Sequence, residues 1–346
     1  MYTIKDYLNF YKNTSLEEVN INELDILLFS ILSYLPIKSF NVELSISEFI
    51  KYVEKTVDKN DYSKMGKIAY EMLNSIKDSK RYKSLRVKNF VNIKNESVQF
   101  GACIFYMGIN TIFSYKGTDG SVIGWYENFR LGYYYYPTNT QIMAINYLKQ
   151  NVKFNDKNIY VCGHSKGGNL ALVSSLETNN NIFKRIKKIY NFDGPGLLKE
   201  EFNSSKFNKI KDKLVTIVPS SSVVGVLLNM DNYSVVESNN TFVYEHYPTS
   251  WKVFGNYFIP SKLSSMSKKL HESTTTNLES LDRDKVKEVI ESLIKSMNMK
   301  YDEHFDFNVN DILNTLKNMN NVNEEVKRYL IKMLKTLIIE NKMTNN

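Results

Sequence analysis

The residue with the clearest chemical potential is a serine held between two glycines. Ser165 is the centre of the segment Gly163-His164-Ser165-Lys166-Gly167, which matches the pattern Gly-x-Ser-x-Gly. A β-branched apolar run precedes this segment, and an Ala/Leu-rich run follows it. In such a context the serine stands on a strained strand-to-helix turn, where side chains on the flanking glycines would collide with the strand and the helix. The pattern predicts that Ser165 is a nucleophile; a plain glycine-rich turn is the alternative.

A serine nucleophile needs a base, and the chain has four histidines. His164 is next to the serine on the turn, so we expect it to serve packing or hydrogen bonding. His271 and His304 lie in a charged helical tail. His246, in the segment YEHYPTSW, follows the last strand that the sequence predicts. His246 is therefore the predicted base.

The acid that would orient this histidine is less sharply defined. In the order serine, acid, histidine, the candidates are Asp193, Asp212 and Asp231. Asp193 ends the strand that follows the serine strand, whereas Asp212 lies in a charged linker and is expected to face solvent. We predict Asp193 as the acid and keep Asp231 as the alternative.

Two backbone amides are candidates for an oxyanion hole. The amide of Lys166 directly follows the serine at the start of a helix, where amides favour developing negative charge. The second candidate is Thr118 in the segment YKGTDGSVIGW, because Gly117 permits a close backbone approach and the threonine offers an amide and a hydroxyl. A hairpin-like turn at Asp119 and Gly120 is also compatible with this segment.

Residue patterns on both sides of the motif predict an α/β fold. Residues 1–84 read as helices, including a Ser45-x-x-Glu48 capping box, and residues 85–260 read as the sheet core. Three strands between residues 87 and 116 precede a helix at 140–152, whose apolar face would contain Ile142, Ile145, Leu148 and Val152. Strands and helices then alternate as parallel strands require. Residues 261–346 read as amphipathic helices.

The composition excludes several classes of protein. Of 346 residues, 42 % are hydrophobic and 13 % aromatic, which is typical of a globular chain. The net charge of +8 is dispersed, and clusters such as 184–188 read as solvated surface, so we predict no nucleic-acid partner. Weak attraction to anionic membrane surfaces remains open.

The remaining composition indicates a chain that needs no cofactor and no disulfide. Cys103 and Cys162 both fall in predicted strands, which indicates a reducing compartment, and we expect the cytoplasm. The apolar stretch 24–35 is too short to span a bilayer and lacks the features of a secretion signal. The sequence has neither a His-Glu-x-x-His nor a Cys-x-x-Cys motif, so we predict no metal site and no cofactor.

With these residues assembled, the chain resembles the Mbeg-like group of α/β hydrolases, which is related to the class 3 lipases. The matching blocks, within about residues 1–260, are FSYKGTDGSVIGWYENF, VCGHSKGGNLAL, YNFDGPG, VPSSSVVGVLL and HYPTSW. The resemblance implies an α/β-hydrolase fold with Ser165 as nucleophile, His246 as base, and Thr118 and Lys166 at the oxyanion hole. One feature departs from the class 3 lipases, whose catalytic Asp follows the strand equivalent to KLVTIV. In this chain that position reads PSSS.

Together these features predict a serine hydrolase that cleaves carboxylic esters through an acyl-enzyme. The relationship to lipases favours lipid or other small-molecule esters as substrates. The missing lipase-type Asp leaves a second hypothesis, a binding or scaffold protein built on a hydrolase fold.

Overall fold

Eight strands form one sheet, and their order in the sheet is their order in the chain. The computed structural model describes residues 2–58, 63–133, 136–277, 280–296, 299–303 and 309–343. Strands β1 to β4 pair antiparallel, and β4 to β8 pair parallel. The predicted α/β class with a mostly parallel sheet is confirmed. The strands are β1 Phe40–Ser45, β2 Arg86–Lys94, β3 Gln99–Met107, β4 Asn110–Tyr115, β5 Asn158–His164, β6 Ile186–Phe192, β7 Leu214–Pro219 and β8 Tyr233–Val236.

Fourteen helices of the described chain surround this sheet, in three groups. The N-terminal group is α1 Ile4–Phe10, α2 Glu23–Leu32, α3 Ile46–Thr56 and α4 Lys64–Ile76. The crossover group is α5 Val122–Arg130, α6 Asn139–Asn151, α7 Lys166–Leu176, α8 Asn180–Phe183, α9 Lys199–Phe202 and α10 Ser205–Ile210. The C-terminal group is α11 Ser265–Glu272, α12 Arg283–Ser296, α13 Val309–Asn318 and α14 Glu324–Met343.

The strand order explains why the sheet has two different helical layers. Connections between parallel strands are right-handed as a rule, so parallel strands that follow one another in order keep their crossover helices on one face. One apolar cluster accordingly joins α6, α7 and α10 to the sheet. The opposite face would be bare without the N-terminal helices, and a second cluster packs α1 to α4 against it. The N-terminal group is therefore a structural layer of the fold.

Strand register brings the predicted site segments to one edge of the sheet. Tyr115, the last residue of β4, pairs with Gly163 of β5, and His164 pairs with Phe192, the last residue of β6. Because these strands are parallel, the loops after β4, β5 and β6 leave the sheet side by side.

The C-terminal helices share a third apolar cluster with segments near that edge. Leu293, Leu313 and Leu330 pack in this cluster with Val226 and Phe242, which lie in the loops after β7 and β8. A short hairpin, β9 Val253–Phe254 and β10 Tyr257–Phe258, follows Phe242 along the chain. No helix in the described ranges is both long and apolar enough to cross a membrane.

Three local predictions are wrong. Residues 1–84 are not all helical, because β1 completes one edge of the sheet beside β2; its six residues lie between two helices and carry a weak local signal. The sequence also missed β8, which has only four residues. His246 still follows the last strand of the eight-stranded sheet, β8, and precedes the short hairpin strand β9, as predicted.

The third wrong prediction concerns one residue of the buried face of α6. Ile145 and Leu148 are buried as predicted, together with Ala144 and Tyr147, but Ile142 is 43 % exposed. The predicted capping box of α3 is present, with Ser45 and Glu48 bonding to each other's backbone amides.

Candidate active site

Ser165 lies on the turn between β5 and α7. Its backbone angles are φ 58° and ψ −133°, a conformation in the strained left-handed range for a residue other than glycine. A Cβ atom on Gly163 would lie 2.2 Å from the Gly167 backbone, and one on Gly167 would lie 2.1 Å from the Tyr115 carbonyl oxygen. The Ser165 amide donates to the Phe192 carbonyl at 2.9 Å, which ties the turn to β6. Ser165 is 6 % exposed.

His246 and Asp193 form a close imidazole–carboxylate pair. Nδ1 of His246 lies 2.6 Å from Oδ2 of Asp193, whose side chain is fully buried. The imidazole ends a 3-10 turn, Phe242–His246, and its side chain is 21 % exposed. Because an ionised carboxylate can only accept, Nδ1 carries the proton and the lone pair of Nε2 is left free. This is the tautomer that a general base needs.

The other acidic candidates lie elsewhere. Asp231 is exposed and makes no hydrogen bond to His246 in the described part of the chain. Asp212 lies in an exposed 3-10 turn, Lys211–Lys213, as the charge pattern predicted.

Donors from the loop after β7 hold the Asp193 carboxylate. The Ser222 hydroxyl and the Gly225 amide both donate to Oδ1, the latter at 3.1 Å. Asp193 itself has a φ of 47°, and its amide donates to the Ile217 carbonyl at 2.8 Å. The segment PSSS, which lacks a lipase-type acid, therefore supplies a donor to an acid that comes from β6.

His164 packs behind the base. Its Nε2 lies 2.8 Å from the His246 carbonyl oxygen, and the two imidazole rings are 4.6 Å apart. Burial, and second the repulsion that two positively charged rings would experience beside each other, lowers the pKa of His164 well below its ordinary value, so the ring is neutral. His271 lies in α11 and contacts the Val226 carbonyl. His304 lies outside the described residues.

The two predicted oxyanion donors have unoccupied amides. None of the described residues accepts a hydrogen bond from the amide of Thr118 or of Lys166. The Thr118 hydroxyl, by contrast, donates to Oδ1 of Asn128 at 3.0 Å. Thr118 can therefore offer its backbone amide to an oxyanion, but not its hydroxyl. The hairpin-like alternative for Asp119 and Gly120 is wrong, since Ser121 caps α5 immediately afterwards.

The Lys166 side chain is buried in an ion pair that sequence reasoning did not anticipate. Its Nζ lies 2.7 Å from Oε2 of Glu127 and donates to the backbone and side-chain oxygens of Gln99. Glu127 also accepts from Gln99 and Thr140. Helix α5, which contains Glu127, is thereby tied to Lys166, the residue after the candidate nucleophile.

Neither of two surface cavities is lined by a candidate site residue. The larger, about 340 Å³, lies between α9 and the start of α12, and the smaller lies beside Asn169 and Leu198. The described residues include no group of three or more His, Cys, Asp or Glu side chains placed to bind a metal ion.

Sequence reasoning missed three residues, Ser222, Glu127 and Tyr34. The hydroxyl of Tyr34 contacts His164. The hydroxyl-rich segment PSSS was a usable signal for Ser222, because buried carboxylates need donors. Glu127 and Tyr34 are far along the chain from their partners, and no local pattern marks either of them.

The sheet and the strand-to-helix turn define an α/β protein with a hydrolase-type fold. Within that class the chain belongs to the Mbeg1-like family, whose family model matches residues 76–295. Four chains of solved structures match as well. One is the crystal structure of M37 lipase, with 15% sequence identity, a TM-score of 0.40, and coverage of 60% of this chain and 70% of that chain. No curated protein matches.

Proposed function

We propose that the protein is a serine hydrolase that cleaves carboxylic esters, with Ser165 as nucleophile, His246 as general base and Asp193 as the orienting acid. The observation that carries this proposal is the 2.6 Å contact between His246 and the buried Asp193 at the edge where the strained Ser165 turn emerges. Strain of this kind is retained where the surrounding structure enforces it, most often at functional sites.

The reaction follows from the protonation states. His246 Nε2 accepts the Ser165 proton as Oγ attacks the ester carbonyl, and the free amides of Lys166 and Thr118 stabilise the tetrahedral oxyanion. The imidazolium then protonates the leaving alcohol, and an acyl-enzyme forms. His246 next takes a proton from water, which attacks the acyl-enzyme, and the imidazolium then returns a proton to Ser165 Oγ as the carboxylic acid is released.

The described residues contain no hydrogen bond from Ser165 Oγ to His246. Such contacts are often long before substrate binds and tighten in the complex. The proposal therefore requires that the His246 ring approaches Oγ when substrate enters.

We propose that the acyl group of the ester comes from a lipid. Lipid esters are favoured by the relationship between this family and the class 3 lipases. Cys103 and Cys162 are both buried free thiols, which is compatible with the cytoplasm. Hydrolysis of p-nitrophenyl esters of increasing acyl length would measure this preference. A rate that rises with chain length supports lipid esters, whereas activity on acetate alone contradicts them.

One observation favours the second hypothesis, a binding protein on a hydrolase fold. Ser165 is only 6 % exposed, so a substrate carbonyl reaches Oγ only if neighbouring segments move.

A fluorophosphonate probe separates the two hypotheses. We expect the native protein to be labelled and Ser165→Ala not to be labelled. Ser75→Ala, which removes an exposed helical hydroxyl, is the matched control and should be labelled like the native protein. Absence of labelling in the folded native protein would contradict the proposed hydrolase.

A further inference from the structure

The hydroxyl group of Tyr34 lies where three site segments meet. Tyr34 follows α2 in the N-terminal layer and is 1 % exposed. Its Oη is 3.0 Å from His164 Nδ1 and 3.1 Å from the His164 carbonyl oxygen, one residue before Ser165. Gly117, one residue before Thr118, packs closely against the same oxygen. A Cβ atom on Gly117 would lie 1.9 Å from Oη, so only glycine fits there.

The directions of these hydrogen bonds are determined by chemistry. The His246 carbonyl can only accept, so the neutral His164 ring carries its proton on Nε2 and donates to that carbonyl. His164 Nδ1 is therefore an acceptor, and the single proton of the Tyr34 hydroxyl is shared between Nδ1 and the His164 carbonyl oxygen. Burial raises the pKa of Tyr34 far above its ordinary value, which keeps the hydroxyl protonated.

The result is a continuous chain of contacts behind the candidate triad. It runs from Gly117, which packs against Tyr34 Oη, to the His164 ring, and from that ring to the His246 backbone. The same ring stacks against the His246 imidazole. One hydroxyl thus joins the oxyanion loop, the nucleophile turn and the segment that carries the base.

We propose that Tyr34 is a positioning residue of the active site: its hydroxyl holds the His164 ring in the orientation that binds the His246 backbone, and it packs against Gly117 beside the nucleophile turn. This inference rests on the proposed serine hydrolase. It assigns an active-site role to the N-terminal layer, since Tyr34 lies outside the residues 76–295 that the family model matches.

Tyr34→Phe tests the proposal, because it keeps the buried ring and removes only the hydroxyl. His164 Nδ1 then loses its hydrogen-bond partner and Gly117 loses its contact with the hydroxyl, so the base and one candidate oxyanion amide are held less firmly. We expect kcat for p-nitrophenyl ester hydrolysis and the rate of fluorophosphonate labelling to fall by about 10- to 100-fold, which is the cost of a small misplacement of reacting groups. KM should change little, because Tyr34 touches no substrate in the proposed reaction.

Tyr147→Phe is the matched control. Tyr147 is also buried, and its hydroxyl donates to one backbone carbonyl, that of Asn89 at 2.6 Å, on a helix outside the site. Its labelling rate should equal that of the native protein. A native protein that is not labelled contradicts the proposed hydrolase. A labelled native protein with an equally fast Tyr34→Phe variant contradicts the positioning role alone.

A second measurement needs neither catalysis nor a stable Tyr34→Phe variant. Nitrogen-15 NMR of the four histidine side chains of the native protein reports their tautomers, and His164 is assigned by the loss of its signals in His164→Gln. We expect a neutral His164 ring with the proton on Nε2 at neutral pH. A proton on Nδ1, or a charged ring, would overturn the proposal.

Discussion

At the scale of single residues, Asp193 is where three segments of chain meet. Its carboxylate leaves the end of β6, binds His246 and accepts from Ser222 and Gly225 of the loop after β7. A buried carboxylate is tolerated only when its oxygens have donors, and these contacts satisfy both oxygens. In the proposed triad, Asp193 takes the role of the lipase-type acid that is missing after β7.

Replacing Asp193 tests its predicted role as the orienting acid. Asp193→Asn keeps the size of the side chain but removes the charge that selects the Nδ1–H tautomer of His246. We expect kcat to fall by about 10³- to 10⁴-fold with KM nearly unchanged. Steady-state hydrolysis of a p-nitrophenyl ester measures both constants.

Asp231→Asn is the control for this substitution, since Asp231 is exposed and not bonded to His246. It should retain native activity. A large loss in Asp231→Asn together with a mild one in Asp193→Asn would reverse the assignment.

At the scale of elements, a buried ion pair connects α5, the helix after Thr118, with α7, the helix after Ser165. Lys166 begins α7 and Glu127 lies in α5, and both side chains are almost completely buried. Thr140 at the start of α6 donates to the same carboxylate. The pair therefore holds the first turn of α7, which carries the candidate oxyanion amide, against the helix that follows Thr118.

Breaking this pair from one side should be costly. Lys166→Met keeps most of the side-chain volume but leaves the Glu127 carboxylate buried without its cation. We expect the free energy of unfolding to fall by about 3 to 5 kcal/mol. Urea unfolding monitored by circular dichroism measures this change.

Lys5→Met serves as the matched control, because Lys5 and Glu71 form an ion pair of nearly the same length, 2.8 Å, with side chains 52% and 56% exposed. Solvent screens that pair, so its loss should cost at most about 1 kcal/mol. Equal losses in the two variants would show that burial of the Lys166 pair has no special cost.

At the scale of the whole molecule, stability depends on a three-layer arrangement that buries ionisable groups. The N-terminal layer covers one face of the sheet, and its Tyr34 and the neighbouring sheet residues enclose His164. A histidine that is neutral in the fold and free to bind a proton when unfolded makes stability depend on pH.

The sign of this dependence follows from the lowered pKa of His164. The unfolded side chain has a pKa of about 6.5, and burial lowers the folded value well below that. Below about pH 6.5 the unfolded state binds a proton that the folded state rejects, so stability should fall as the pH falls. His164 alone contributes a slope of at most about 1.4 kcal/mol per pH unit.

Urea unfolding of the native protein and of His164→Gln, between about pH 7.5 and pH 5, isolates this contribution. We expect the native protein to lose more stability than the variant across this range. Parallel curves for the two proteins would mean that His164 does not titrate differently in the folded and unfolded states.

Much of the fold was predictable because its signals are local. β2 to β4 follow one another and β5 to β7 alternate with helices, in the order that their apolar runs predict. The glycines around Ser165 mark a turn that only short side chains permit. β1 and β8 were missed because a short strand has too few residues to show a clear alternating pattern. Both are stabilised by pairing with strands that lie elsewhere in the chain.

The sequence by itself determined the α/β class, the position of the serine turn, and the residue types from which a triad can be built. Only the tertiary structure decided between Asp193 and Asp231 as the partner of His246, and only it brought Ser222, Glu127 and Tyr34 to the site. The physical reason is distance along the chain. Helix periods and glycine spacings act within a few residues, whereas Tyr34 and His164 are 130 positions apart and meet only because two layers pack on opposite faces of one sheet.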